Sequence, residues 1–199
     1  MKKLFLDKSL SFITKYKNYS KKDIEKLKYG LEGLYLTITK TIVILILSIV
    51  LGIFKEVLLV IIFFNVIRYT GFGFHAEKSY QCLISSTINF ICIPLLFIKL
   101  NMSLELQIII CIICIVSYLL YAPADTIKRP LPNKRKRIIR KILTILIGII
   151  YTLIILLFNN SFITPLLLSS LVIEFLVINP ITYKIFKQPY NNYKNLNTA

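Results

Sequence analysis

Between Asn65 and Asn89 the chain reads NVIRYTGFGFHAEKSYQCLISSTIN, where an arginine, two glycines, the only histidine and a cysteine interrupt an apolar run. A cysteine attacks a carbonyl carbon as its thiolate, and a neighbouring histidine takes the proton and later returns it to the leaving group. His75 and Cys82 are the pair this chain offers for that chemistry. On one straight helix the two would stand about 10 Å apart along the axis, too far for a hydrogen bond of about 3 Å. The backbone must therefore bend between them. Gly71 and Gly73 permit angles that other residues avoid, so GFGFHAEK reads as a loop. Ser79 then reads as the N-cap of a helix with Cys82 at its third position. There the helix dipole and Lys78 favour a thiolate, while burial opposes it.

Beyond Cys82, Ser85, Ser86 and Asn89 follow at i+3, i+4 and i+7 and make a polar stripe on the cysteine's face. Asn65 is expected opposite, one turn before Arg68, and the seam between them could admit a peptide backbone. Asp125, Ser86, Asn65 and Glu77 are all open as a third member orienting His75. The alternatives are plainer: a coincidental His and Cys in a helical hairpin, and Arg68 as a lipid-headgroup anchor.

The elements that must position these residues are membrane helices. Of 199 residues, 56% are hydrophobic, and the mean hydropathy is +0.72, more apolar surface than a soluble domain of this size can hide. The pattern predicts an all-α polytopic membrane protein with six membrane helices: 33–51, 57–69, 79–98, 103–121, 138–158 and 162–183. The second, at 13 residues about 20 Å long, is expected to be short or re-entrant. Residues 1–30 read as one or two amphipathic helices on the membrane surface, residues 31–183 as the helical domain with a basic loop at 122–137, and 184–199 as a polar tail.

The net charge of +16, from 25 Lys and Arg against 9 Asp and Glu, fits topology and anionic lipid rather than nucleic acid. Residues 1–30 carry nine Lys and three acids, and residues 122–141 carry eight bases and one acid. The tail adds three lysines, whereas 52–56 and 99–105 carry one base and one acid each. Six crossings place every basic block on one side, which makes both termini, the 122–141 loop and the His75–Cys82 segment cytoplasmic. Cys111 and Cys114 form a CxxC inside an apolar run and read as small hydrophobes; Cys92 reads the same way. No metal or other cofactor is expected.

Arg68, Gly73, His75 and Cys82 stand in the spacing Arg-x4-Gly-x-His-x6-Cys, which resembles that of the accessory gene regulator protein B (AgrB) family, quorum-sensing membrane endopeptidases of Gram-positive bacteria. The segment APADTIKRP, Ala122 to Pro130, resembles the same family's proline- and lysine-rich cytoplasmic loop. The resemblance implies a cysteine endopeptidase that cuts a small precursor peptide on its C-terminal side, holding it as a thioester on Cys82. A cysteine or serine of the precursor then closes a thiolactone or lactone. It further implies His75 as general base and acid, Gly73 as shaping the loop, and Arg68 as positioning a carboxylate or the loop itself. The family's substrates pair an amphipathic leader with an acidic tail, for which Lys128, Arg129 and the basic stretch around them offer a docking surface. A homodimer is expected by the same analogy. Two other readings remain open from sequence: a small transporter using Glu174 and Arg68 as buried charges, and a scaffold recruiting an acidic partner.

Overall fold

The computed structural model describes residues 2–15, 19–74, 79–100, 102–126, 130–159 and 161–193. The chain forms two compact units, residues 1–47 and 48–199. In the first, α1 (Lys2–Thr14) precedes α2 (Lys21–Val50), and Phe5 meets Tyr35 with ring centroids 5.4 Å apart. Ser20 caps α2: its Oγ accepts from the Asp23 amide at 3.2 Å and donates to the Asp23 carboxylate at 2.7 Å. The sequence suggested a span beginning at Gly33, separate from a surface helix. Instead α2 is unbroken through Gly30 and Gly33, because a glycine inside a helix costs only about 1 kcal/mol, less than the main-chain hydrogen bonds an interruption would forfeit.

The second unit contains α3 (Phe54–Gly71), α4 (Ser79–Thr87), a π-helical turn (Ile88–Cys92), α5 (Ile93–Lys99), α6 (Leu104–Tyr121), α7 (Lys134–Leu157), α8 (Thr164–Ile178) and α9 (Pro180–Ile185). α3 takes in the Lys55–Glu56 pair and Thr70–Gly71, so its 18 residues reach about 27 Å rather than the 13-residue segment expected. The π turn was not expected. Proline at 94 has no N–H to give and its ring crowds the carbonyl four residues back, and the chain answers with a wider turn in which Ile93 N–H donates to Ile88.

Two boundaries depart from the sequence reading. Lys134 to Arg137 belong to the first turn of α7, capped by Asn133, whose side chain accepts from the Lys136 amide at 3.2 Å; the loop before it is correspondingly shorter than 122–137. The last apolar segment, read as one helix over 162–183, is two. Pro180 cannot continue α8, and Asn179 caps α9 by accepting from the Ile181 amide at 2.9 Å.

α8 is the axis of this unit. It packs against α3, α5, α6 and α7, and residues all round it are buried, from Leu166 and Leu167 to Ile173, Glu174 and Ile178. A helix apolar on every side belongs in a centre. At 15 residues, about 22 Å, it is shorter than a bilayer core. Around it the usual arrangement of a soluble protein is inverted. Ser117, Thr144, Ser169 and Ser170 are buried, while Ile112, Ile113, Val116, Leu120, Ile142, Leu146 and Leu153 are exposed. Small and hydroxyl side chains join membrane helices in this way. Tyr118 donates to the Leu171 carbonyl at 2.6 Å and Tyr151 to the Phe63 carbonyl at 3.0 Å. Gly148 lets α6 and α7 approach: a Cβ there would lie 3.1 Å from the Tyr118 ring.

The described residues are therefore all-helical, with four helices among them long and apolar enough to cross a membrane: Asp23–Val50, Tyr80–Lys99, Leu104–Tyr121 and Lys134–Leu157. These fit a membrane protein. A parallel bridge joins Phe72 and Ala124. Tyr118→Phe should lower stability by about 1 kcal/mol for the lost hydrogen bond, seen as a drop of a few degrees in the unfolding temperature of detergent-solubilised protein.

Candidate functional site

The loop that leaves α3 is held from three directions. Arg68, one turn before the helix end, donates through Nη1 to the Phe72 carbonyl. Its Nη2 donates to the carbonyls of Gly73 at 3.0 Å and Phe74 at 2.6 Å. A guanidinium can do this because its donors form a rigid planar fork. The Gly73 amide donates to Ala124 at 2.8 Å, the Ala124 amide returns a bond to Gly71 at 3.0 Å, and the Phe74 amide donates to Val177 at 2.7 Å. The loop is thus stitched to the segment after α6 and to the end of α8.

This loop needs unusual backbone. Phe72 has φ +62° and Gly73 φ +108°. The first, with ψ −128°, is a sparsely populated conformation that costs a non-glycine residue about 1–3 kcal/mol, offset by the Arg68 bond and by Arg140, whose guanidinium lies 4.5 Å from the Phe72 ring centroid. At Gly73 a Cβ would strike the Arg68 guanidinium and come within 2.7 Å of the Val177 carbonyl oxygen. Arg140 also donates to the Tyr69 carbonyl at 2.7 Å, and Thr144, one turn on, donates to Thr70 at 3.0 Å. Sequence reasoning took Arg140 for one basic charge among eight. Its i, i+4 spacing to an inward-facing threonine was the available sign that it faces the bundle.

The segment 121–126 is held in turn by the C-terminal region. Tyr183 donates to the carbonyls of Ala124 and Asp125, both at 3.1 Å, and Tyr190 to the Tyr121 carbonyl at 3.2 Å. Burial pushes the Tyr190 hydroxyl up to about 12. The buried Asp125 carboxylate accepts from the amides of Asn192 at 2.9 Å, Tyr193 at 2.8 Å and Leu131 at 3.4 Å. Arg137 lies over the Tyr193 ring at 3.7 Å, and the Phe74 ring stacks on Phe186 at 4.3 Å. Residues 183–193, read from sequence mainly as a polar tail, are structural parts of this end of the bundle. Their regular tyrosines at 183, 190 and 193 were the missed signal.

Of the residues singled out from sequence, Arg68 and Gly73 meet in this loop. His75, Glu77 and Lys78, and likewise Lys128 and Arg129, lie outside the described residues. Ser79 begins the described part of α4, which puts the half-buried Cys82 three residues on, within the first turn; the Cys82 carbonyl accepts from Ser85 at 3.2 Å. Ser86 is buried and Asn89 falls in the π turn. Asn65 lies on the exposed face of α3, its amide turned back to the Ile61 carbonyl at 2.8 Å. Asp125 serves the tail. Among the described residues no three His, Cys, Asp or Glu side chains converge as metal ligands.

A sequence profile of the accessory gene regulator B family matches residues 6–178. The chain belongs to this family. A protein of Clostridium acetobutylicum named AgrB-like is 29% identical over 86% of this chain and 82% of its own length. One of the same name from Listeria innocua is 30% identical over 85% and 83%. Accessory gene regulator protein B of Staphylococcus aureus is 26% identical over 89% and 94%. No solved structure gives a significant match. The AgrB resemblance carried by Arg68, Gly73, His75 and Cys82 thus holds at the level of the family.

Replacing Arg68 by Lys should release the loop, since one ammonium cannot span three carbonyls; faster hydrogen exchange over residues 72–74 would report it. Asp125→Asn should free the tail, because a neutral amide is a weaker acceptor than a carboxylate, and limited proteolysis should then cut near residues 187–193 where the parent protein resists.

Proposed function

We propose that this AgrB-family chain is a membrane-embedded cysteine endopeptidase that processes a small autoinducer precursor for quorum sensing. The observation that supports it most is the loop fixed by Arg68 and Gly73 immediately before His75, followed by a helix with Cys82 in its first turn. A loop so held gives the histidine a fixed point of departure.

In this reading His75 takes the proton from the Cys82 thiol, and the thiolate attacks the carbonyl carbon of the scissile peptide bond. The Cys82 S–C bond forms and the C–N bond breaks, with His75 returning the proton to the leaving amine. The C-terminal fragment departs and the leader half stays as a thioester. A cysteine or serine of that half attacks the same carbonyl, the Cys82 thiolate leaves, and a cyclic thiolactone or lactone is released. Surrounding helices serve the thioester by excluding water.

The accompanying topology is six membrane segments, with α3 and the shorter α8 counted beside the four long apolar helices. α1 and the start of α2 form the amphipathic interfacial region, and both termini and the site are cytoplasmic. That the loops 71–74 and 122–126 and the tail meet at one end of the bundle supports this. Lys128, Arg129 and the basic first turns of α7 would receive the precursor's acidic tail, and the protein would act as a homodimer.

Co-expression with a candidate precursor should yield the cut peptide and, by mass spectrometry, an acyl adduct on Cys82. Cys82→Ala should abolish both, and His75→Ala should slow processing by about 10²–10⁴-fold. Processing left intact in both variants would sink the peptidase reading. Cysteine-accessibility labelling near residue 75 from the outer face would overturn the topology.

A further inference from the structure

Glu174 lies well inside α8 with no exposed surface, and neither carboxylate oxygen accepts a hydrogen bond among the described residues. A buried carboxylate in such surroundings is expensive and calls for a partner. Its position is specific. Glu174 Oε1 fills the space that a side chain at residue 71 would need, so a Cβ on Gly71 would collide with it and would also sit 3.3 Å from the Thr144 methyl. Gly71 is the last residue of α3, and Arg68 stands one turn earlier on the same helix. The carboxyl and the guanidinium therefore lie against the same last turn of α3, and the Arg68 Nη1 atom crowds Gly73 together with the Val177 carbonyl, one turn beyond Glu174 on α8.

The loop carbonyls satisfy Arg68 donors but do not neutralise its charge. Asp125, the other fully buried acid among the described residues, is engaged by backbone amides. We propose that Glu174 is a counter-ion that helps keep Arg68 over the loop carbonyls, and hence a positioning residue for the segment that leads to His75. Opposite charges attract strongly where little water screens them. Without the carboxylate, the lowest-cost course for a partly buried guanidinium is to swing its long stem toward water or headgroups, which abandons the three carbonyls. The catalytic meaning rests on the peptidase reading; the link between Glu174 and loop order does not.

The experiment is hydrogen exchange on the full chain in phosphatidylcholine–phosphatidylglycerol vesicles, read by mass spectrometry over residues 71–74. Glu174→Gln should raise exchange there by about tenfold, while mid-helix amides of α3 and α8 keep their protection. Arg68→Gln should do the same, and the double variant should be no worse than Arg68→Gln alone, because both remove one interaction. Glu174→Asp, which keeps the charge, should retain most of the protection. Unchanged loop protection in Glu174→Gln, or additive effects in the double variant, would overturn the assignment. If Glu174→Gln fails to insert, Gly71→Ala displaces the carboxylate without altering charge and should open the loop equally; a loop still closed there counts against the proposal. A loop that opens as stated in a protein forming no Cys82 adduct would end the peptidase reading and leave the counter-ion assignment standing.

Discussion

One guanidinium group, that of Arg68, holds the loop that leaves α3 by taking three of its carbonyls. Carbonyls that follow a helix have no partners within it, and in an apolar bundle water is not at hand to supply them. Here the chain turns sharply at Phe72 and Gly73, presenting three carbonyls in succession toward a side chain from the preceding turn. The other contacts at this end follow from that choice. With its carbonyls taken by Arg68, the loop turns its amides outward to Ala124 and Val177, and these in turn fix the 122–126 segment and the end of α8.

The rest of the bundle is arranged so that this end is polar and ordered while its sides are greasy. Hydroxyls of Tyr118, Tyr151, Thr144 and Ser170 tie helices together from within, and leucines and isoleucines cover the outside. Interior hydrogen bonds of this kind are individually modest. Their value lies in direction: each fixes the rotation of one helix against another, which hydrophobic contact alone does poorly when lipid tails are as apolar as the helices.

Much of this was legible in the sequence because composition and hydropathy depend on the solvent the chain faces, and that solvent imposes helices. The spacing of Arg68, Gly73, His75 and Cys82 located the unusual stretch. What the sequence hid were contacts made by residues far apart in the chain. Asp125 looked available for catalysis until the amides of Asn192 and Tyr193 were seen to occupy it. Arg140 looked like a solvated charge until its bond to the Tyr69 carbonyl placed it. Glycines misled in both directions: Gly30 and Gly33 pass through α2 without effect, whereas Gly71 and Gly73 are small because Glu174 and the Arg68 guanidinium leave no room.

The π turn at Ile88–Cys92 separates two obligations carried by one apolar segment. Downstream, α5 presents Pro94 and Phe97 to the core; upstream, α4 carries the half-buried Cys82. In an uninterrupted α-helix the two faces would keep the phase set by 3.6 residues per turn. The wider turn absorbs one extra residue, so the face carrying Cys82 is turned by about 100° from that phase. One continuous apolar segment thereby offers its two ends in different directions, each fixed by the same hydrogen-bonded turn.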